Sequence, residues 1–152
     1  MKTTTTALIL IMAATTATAI KPDKKWLDLV EQVESSGNSK AVGDSGRARG
    51  AFQFWKIAWD DVNNYRRDRG FKIFGYEYAW DPHVSRVYAE NLADLQRIRM
   101  IRATGRDPDA GELYALYNLG FNGFKRRQFR LNDCPRVTRV KAAKIKKAWE
   151  AK

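Results

Sequence analysis

Apolar residues return at intervals of three and four along most of this chain, and that spacing excludes most folds before any motif is considered. Trp26, Leu29, Val30 and Val33 recur at i, i+3, i+4 and i+7. Residues so spaced share one face of an α-helix. The spacing predicts a helix over 23–36, with Pro22 near its start and Gly37-Asn38 at its end. Phe52, Trp55, Trp59 and Val62 predict a second helix over 51–64. Asp81-Pro82 reads as an N-cap followed by proline at the first helical position. Val84, Val87, Tyr88, Asn91, Leu95 and Ile98 then carry a long helix to about Arg102. Asp109 caps another, with Leu113, Leu116 and Tyr117 on one face and its close at Gly120. A last helix over 138–151 turns Ala142, Ile145 and Trp149 inward and many lysines outward. Only 70–80 departs from this rhythm: its loosely alternating aromatics predict a short hairpin or an aromatic loop. The fold class expected is therefore a small, mostly α domain, without internal repeat or long linker.

With 152 residues, 44 % of them hydrophobic, the chain can build one real core. A mean hydropathy of −0.54 excludes a polytopic membrane protein. The N-terminus runs from Lys2 through a short apolar segment to Ala17-Thr18-Ala19, the order of regions in a secretory signal. Residues 1–19 are expected to be that signal, cleaved after Ala19. This places the mature protein, 20–152, outside the cytoplasm as a secreted or periplasmic domain. Loss of Lys2 lowers the formal charge by one, from +11 to +10. A chain this basic is drawn to anionic surfaces, such as cell-wall polymers and acidic glycans, by an attraction that salt weakens. An export signal argues against nucleic acid as the partner.

The residue inventory narrows the chemistry further. Cys134 is the only cysteine and His83 the only histidine. One thiol makes no internal disulfide, and this pair cannot supply the three or four ligands of a zinc site. No metal or cofactor is expected. Cys134 reads as a small buried hydrophobe and His83 as a solvated residue at a helix start.

One carboxylate stands apart. The next step of the first helix's stripe, eight residues past Trp26, is Glu34. Asp28 and Glu31 fall off the stripe. A carboxyl on an apolar face loses hydration, which disfavours its charged form and suits a general acid. The plainer alternative makes Glu34 a polar helix-end residue. Behind it lies a loop with Gly43, Gly46 and Gly50, which permits tight turns and close approach of a ligand. The loop lacks the phosphate-binding and dinucleotide patterns. It leads to Gln53, an amide able to bond a ligand or cap a helix.

Three segments in order carry a family resemblance: Glu34-Ser35-Ser36-Gly37-Asn38, then Gly46-Arg47-Ala48-Arg49-Gly50-Ala51-Phe52-Gln53, then Leu116-Tyr117-Asn118-Leu119-Gly120. Together they resemble the soluble lytic transglycosylases, the goose-lysozyme-like muramidases, over about 26–120. Ala51-Phe52 stands where the family has Leu-Met, and Leu116 where it has Ala. The resemblance implies a lysozyme-like helical domain that cleaves the β-1,4 bond between N-acetylmuramic acid and N-acetylglucosamine in peptidoglycan. It implies Glu34 as the lone catalytic acid and base. Ser35 would position Glu34 or the sugar, Gln53 and Asn118 would bond the saccharide, and Tyr117 would hold Glu34. The product would be a 1,6-anhydro end, and the protein a monomer acting on glycan strands.

Two alternatives accompany it. A lysozyme-type hydrolase needs a second carboxylate about 5–5.5 or 6.5–9.5 Å from the acid. Asp44, in the glycine-rich loop, is the residue on which that outcome rests, since Asp60, Asp61 and Glu112 read as solvated. A non-catalytic glycan-binding protein is the other. Trp55 and Trp59 are expected in the core. Tyr76, Tyr78 and Trp80 are candidates for stacking on sugars, although core positions suit them better. Lys125-Arg126-Arg127 and the lysines of 141–147 are expected on solvated faces.

Overall fold

The computed structural model describes residues 21–151. The proposed signal segment lies outside the described residues. The described residues fold as five α-helices and a three-stranded sheet of two-residue strands. In order these are α1 (Lys24–Ser35), β1 (Val42–Gly43), β2 (Ala48–Arg49), β3 (Phe54–Trp55), α2 (Lys56–Arg67), α3 (Pro82–Thr104), α4 (Ala110–Lys125) and α5 (Arg136–Glu150). The small, mostly α domain read from the apolar spacing is the architecture observed. No helix among the described residues is long and apolar enough to cross a membrane.

Helix boundaries follow local chemistry. The Asp23 carboxylate accepts from the Trp26 N–H at 2.9 Å, satisfying one orphan donor of α1. Ser36 and Gly37, both left-handed, end that helix. Asp81 caps α3 by accepting from His83 and Val84, with Pro82 next in the chain. Asp109 and Glu112 close a reciprocal capping box on α4. Gly120 (φ 69°, ψ 164°) interrupts α4 where the sequence predicted its close, and helical turns resume beyond it.

Two expectations are corrected, and one pair of alternatives is decided. The second helix begins at Lys56 rather than near Ala51, because Gln53 is left-handed (φ 50°) and Phe54–Trp55 pair with Ala48–Arg49 as strands. Residues 70–80 take the second of the two forms expected, an aromatic loop rather than a hairpin, with a 3-10 turn over Tyr76–Trp80. On α3, Val87 points to solvent, and the buried face is Ser85, Tyr88, Ala89, Leu92, Ala93, Gln96 and Met100. α3 packs against α2 and α4 at once. Alanines allow that double approach, and they are weak markers in a pattern that weights large apolar residues.

The core runs between these helices. Trp26 is fully buried, meets Tyr117 edge to face with centroids 6.0 Å apart, and donates its indole N–H to the Ala110 carbonyl. Trp59 stacks on Tyr88 at 3.9 Å. Gly50 (φ 76°) fastens the sheet to the 3-10 turn: a Cβ there would stand 1.9 Å from the Ala79 carbonyl oxygen. Helix α5 lies on α4 and α1, closing the domain over the last turn of α1.

Candidate active site

The last turn of α1 delivers its carboxylate into a cleft. Helix α1 buries Trp26, Leu27 and Val30, while Leu29 and Val33 are only partly buried against the core. Glu34 extends that face by one turn, and its side chain is 7 % exposed. So deep a carboxylate requires partners, and it has two. The Tyr114 hydroxyl of α4 donates to Oε1 at 2.5 Å, and Lys141 of α5 donates to Oε2 at 3.2 Å.

Tyr117 was expected to hold Glu34; the residue that does so is Tyr114, one helical turn earlier on the same face of α4. That three-residue offset was the available signal. The Tyr117 hydroxyl instead donates to the Phe52 carbonyl at 2.9 Å, tying α4 to the loop before β3. Burial first, and then the nearby Glu34 charge, push the Tyr114 and Tyr117 phenols well above the usual value of 10.0. Both hydroxyls are therefore firm donors at neutral pH. Lys141 was expected on a solvated face. It sits 107 positions from Glu34, and no local pattern marks a pairing over that distance.

The cleft beside Glu34 has a volume of about 1380 Å³. This exceeds the space of an ordinary small-molecule pocket and suits an extended chain. All five helices reach it: Glu34 from α1, Ile57 and Asp61 from α2, Arg99 and Arg102 from α3, Asn118 from α4, and Thr138 and Lys141 from α5, joined by Gly43, Asp44, Gln53 and Trp55 from the connection between α1 and α2. The break at Gly120 also faces it. The N–H of Phe121, freed by that break, donates to the Gln96 side chain at 3.1 Å.

Among the residues singled out from the sequence, Glu34, Asp44, Gln53, Tyr117 and Asn118 all line this one cleft. Ser35 does not. Its hydroxyl donates to the Ala51 carbonyl at 2.7 Å, so it joins the end of α1 to the loop and holds the site's frame rather than facing the cleft. The Gln53 amide donates to the Gly50 and Ala41 carbonyls at 2.9 and 3.2 Å. Its Oε1 occupies the space a Cβ on Gly43 would need, 2.1 Å away, which explains a glycine there. Asn118 is exposed, and its Oδ1 accepts from the Thr138 hydroxyl at 2.8 Å.

Asp44 is exposed, and its Oδ2 accepts from the Trp55 indole N–H at 2.8 Å. Trp55 is another correction. It was expected in the core beside Trp59, yet it is 38 % exposed and lines the cleft. Starting α2 later puts Trp55 on a strand instead of on the buried helical face. Tyr76, Tyr78 and Trp80 do not line the cleft; the Tyr76 hydroxyl bonds the Phe54 and Arg47 carbonyls. Of the other carboxylates, Asp61 lines the cleft but pairs with Arg99 at 2.8 Å, while Glu112 pairs with Arg106 at 2.7 Å. Cys134 is buried, and His83 is exposed at the start of α3.

The arrangement joins one enclosed carboxylate, a neighbouring cation and a phenol to a long cleft edged with amides. Such a carboxyl can give a proton to a bound ligand and take one back. Comparison with protein-family models, curated proteins and solved structures finds no match for this chain.

Proposed function

We propose that the protein is a peptidoglycan lytic transglycosylase, with Glu34 as its single acid and base. The observation that carries this reading is the setting of Glu34: a nearly enclosed carboxylate, held by Tyr114 and Lys141, opening onto a cleft large enough for a saccharide chain. Glu34 protonates the oxygen between N-acetylmuramic acid and N-acetylglucosamine. The bond from that oxygen to the muramyl C1 breaks, and the glucosamine side leaves with a new hydroxyl. Charge developing at C1 is stabilised by the neighbouring N-acetyl carbonyl. The Glu34 carboxylate then takes the proton of the muramyl C6 hydroxyl, whose oxygen bonds to C1. A 1,6-anhydro end results, no water is consumed, and Glu34 regains its proton.

The surroundings have roles in this cycle. Tyr114 fixes the carboxyl's direction, and Lys141 balances the negative charge of the carboxylate stage. Gln53 and Asn118 line the cleft and, in this reading, bond saccharide hydroxyl and amide groups. The strong positive charge, +11 for the full chain and one less without Lys2, favours encounter with anionic wall strands. The exposure of Asp44 and its bond to Trp55 weigh against a hydrolytic second carboxylate. We place the mature protein outside the cytoplasm, acting as a monomer on glycan strands and without metal or cofactor.

Mass analysis of digested cell wall tests the proposal directly. Wild-type protein is expected to release muropeptides with 1,6-anhydro ends, one water lighter than hydrolysis products, and Glu34→Gln to release none. Reducing ends alone would identify a hydrolase. Binding without turnover by the wild type would identify a non-catalytic glycan-binding protein.

A further inference from the structure

Trp55 is set apart from the other tryptophans. Trp26 and Trp59 are fully buried and donate their indole N–H groups to backbone carbonyls. Trp80 and Trp149 are half-buried and lie outside the cleft. Trp55 alone lines the cleft, and it is held rather than loose. Its backbone pairs with Ala48 in the sheet, its indole N–H is engaged by Asp44, and the Arg47 guanidinium lies over one ring face, 4.7 Å from the centroid. Ile57 and Val137, 76 % and 68 % exposed, line the same cleft.

Holding Asp44 in place carries a cost. Asp44 and Ser45 both take left-handed backbone, φ 48° and 57°, a conformation unfavourable for non-glycine residues. That turn carries the carboxylate to the indole, and the Arg47 side chain bonds the Asp44 carbonyl at 3.1 Å. A loop of this kind, closed on a solvent-facing tryptophan, adds little to the core. It does fix the plane of a large apolar ring at the edge of a carbohydrate-sized cleft.

We propose that Trp55 is a saccharide-stacking platform of the cleft, and that Asp44 is a positioning residue that acts through the Trp55 indole. The ligand is a pyranose ring of the glycan strand, whose C–H face packs on the aromatic ring as apolar surfaces do. The inference rests on the glycan-cleaving reading and deepens it. It gives Asp44 a role in affinity in place of the proton-transfer role of a second carboxylate.

Glycan-strand fragments binding to the full chain, read by tryptophan fluorescence and by calorimetry, provide the test. Turnover is followed in parallel. Trp55→Ala is expected to raise Kd several-fold to about tenfold, the range of one aromatic contact. Trp55→Phe keeps the ring but loses both the ligand-induced fluorescence change and the grip of Asp44. Asp44→Ala is expected to raise Kd and KM, with the loss falling on KM rather than kcat. Asp44→Asn retains an oxygen acceptor and tolerates left-handed backbone, so its rise is expected to be smaller. In the Trp55→Phe background, Asp44→Ala should add nothing to Kd. Unchanged binding by Trp55→Ala overturns the proposal, as does a wild type that binds no fragment. Loss of kcat in Asp44→Asn comparable to that in Glu34→Gln overturns the positioning role. Wild-type protein that binds fragments through Trp55 but yields no anhydro ends retains the platform and rejects the transglycosylase reading.

Discussion

Tyr114 and Lys141 show how far the setting of Glu34 is fixed by donors from other helices. A carboxylate in this position loses most of its water, and its remaining stabilisation comes from directed donors. The Tyr114 hydroxyl is the shorter contact, 2.5 Å against 3.2 Å for Lys141. Tyr114→Phe removes that donor without changing ring packing. A hydrogen bond to a charged group contributes about 1.5–3 kcal/mol. Under the proposed mechanism, in which Tyr114 orients the acid, the substitution is expected to lower kcat by roughly ten- to hundredfold. KM should change little, and steady-state kinetics on purified glycan strands separates the two. Tyr117→Phe supplies the contrast. It frees the Phe52 carbonyl, so its larger effect should fall on thermal stability.

Among the elements, the glycine-rich connection between α1 and α2 has the most to do with the site's shape. It contributes the three strands, the left-handed Gln53 and the exposed Trp55. Its geometry depends on Gly50, whose missing side chain lets the sheet meet the Ala79 carbonyl. Gly50→Ala adds a left-handed penalty of about 1–2 kcal/mol to an overlap costing about 1–3 kcal/mol. A loss of roughly 3 kcal/mol is expected in denaturant unfolding. Gly37 has a similar φ of 80° but open space around its Cβ position. Gly37→Ala should therefore cost only the backbone term, about 1–2 kcal/mol. Equal losses at the two positions would contradict the close contact.

For the whole molecule, the tyrosines tie stability to pH. Burial raises the pKa of Tyr65, Tyr76, Tyr88, Tyr114 and Tyr117, with Tyr65, also bonded to Asp94, pushed up to about 12. The folded protein thus keeps protons that the unfolded chain releases above its ordinary value of 10.0. Linkage then gives a stabilisation that is complete below about pH 10 and is lost as pH rises toward and beyond 12. Phenolate absorbance and far-ultraviolet circular dichroism followed together are expected to change together in this range. A smooth titration centred near 10 with the fold intact would contradict the burial of these rings.

What the chain's order of residues determined by itself was everything that depends on neighbours three or four positions apart. The α-helical class, the caps at Asp81 and Asp109, the break at Gly120 and the inward direction of Glu34 are all local in this sense, set by backbone geometry and the burial of a stripe. The tertiary structure decided what depends on contacts between distant segments. Phe54–Trp55 became a strand because Ala48–Arg49 was there to pair with it, and this moved Trp55 out of the core and into the cleft. Ser35 turned to the loop because the Ala51 carbonyl lay within reach. Lys141 met Glu34 because α5 packs across α1 and α4. No periodicity encodes such meetings: a surface lysine and a lysine paired with a buried carboxylate look alike along the chain, and only the packing of helices distinguishes them.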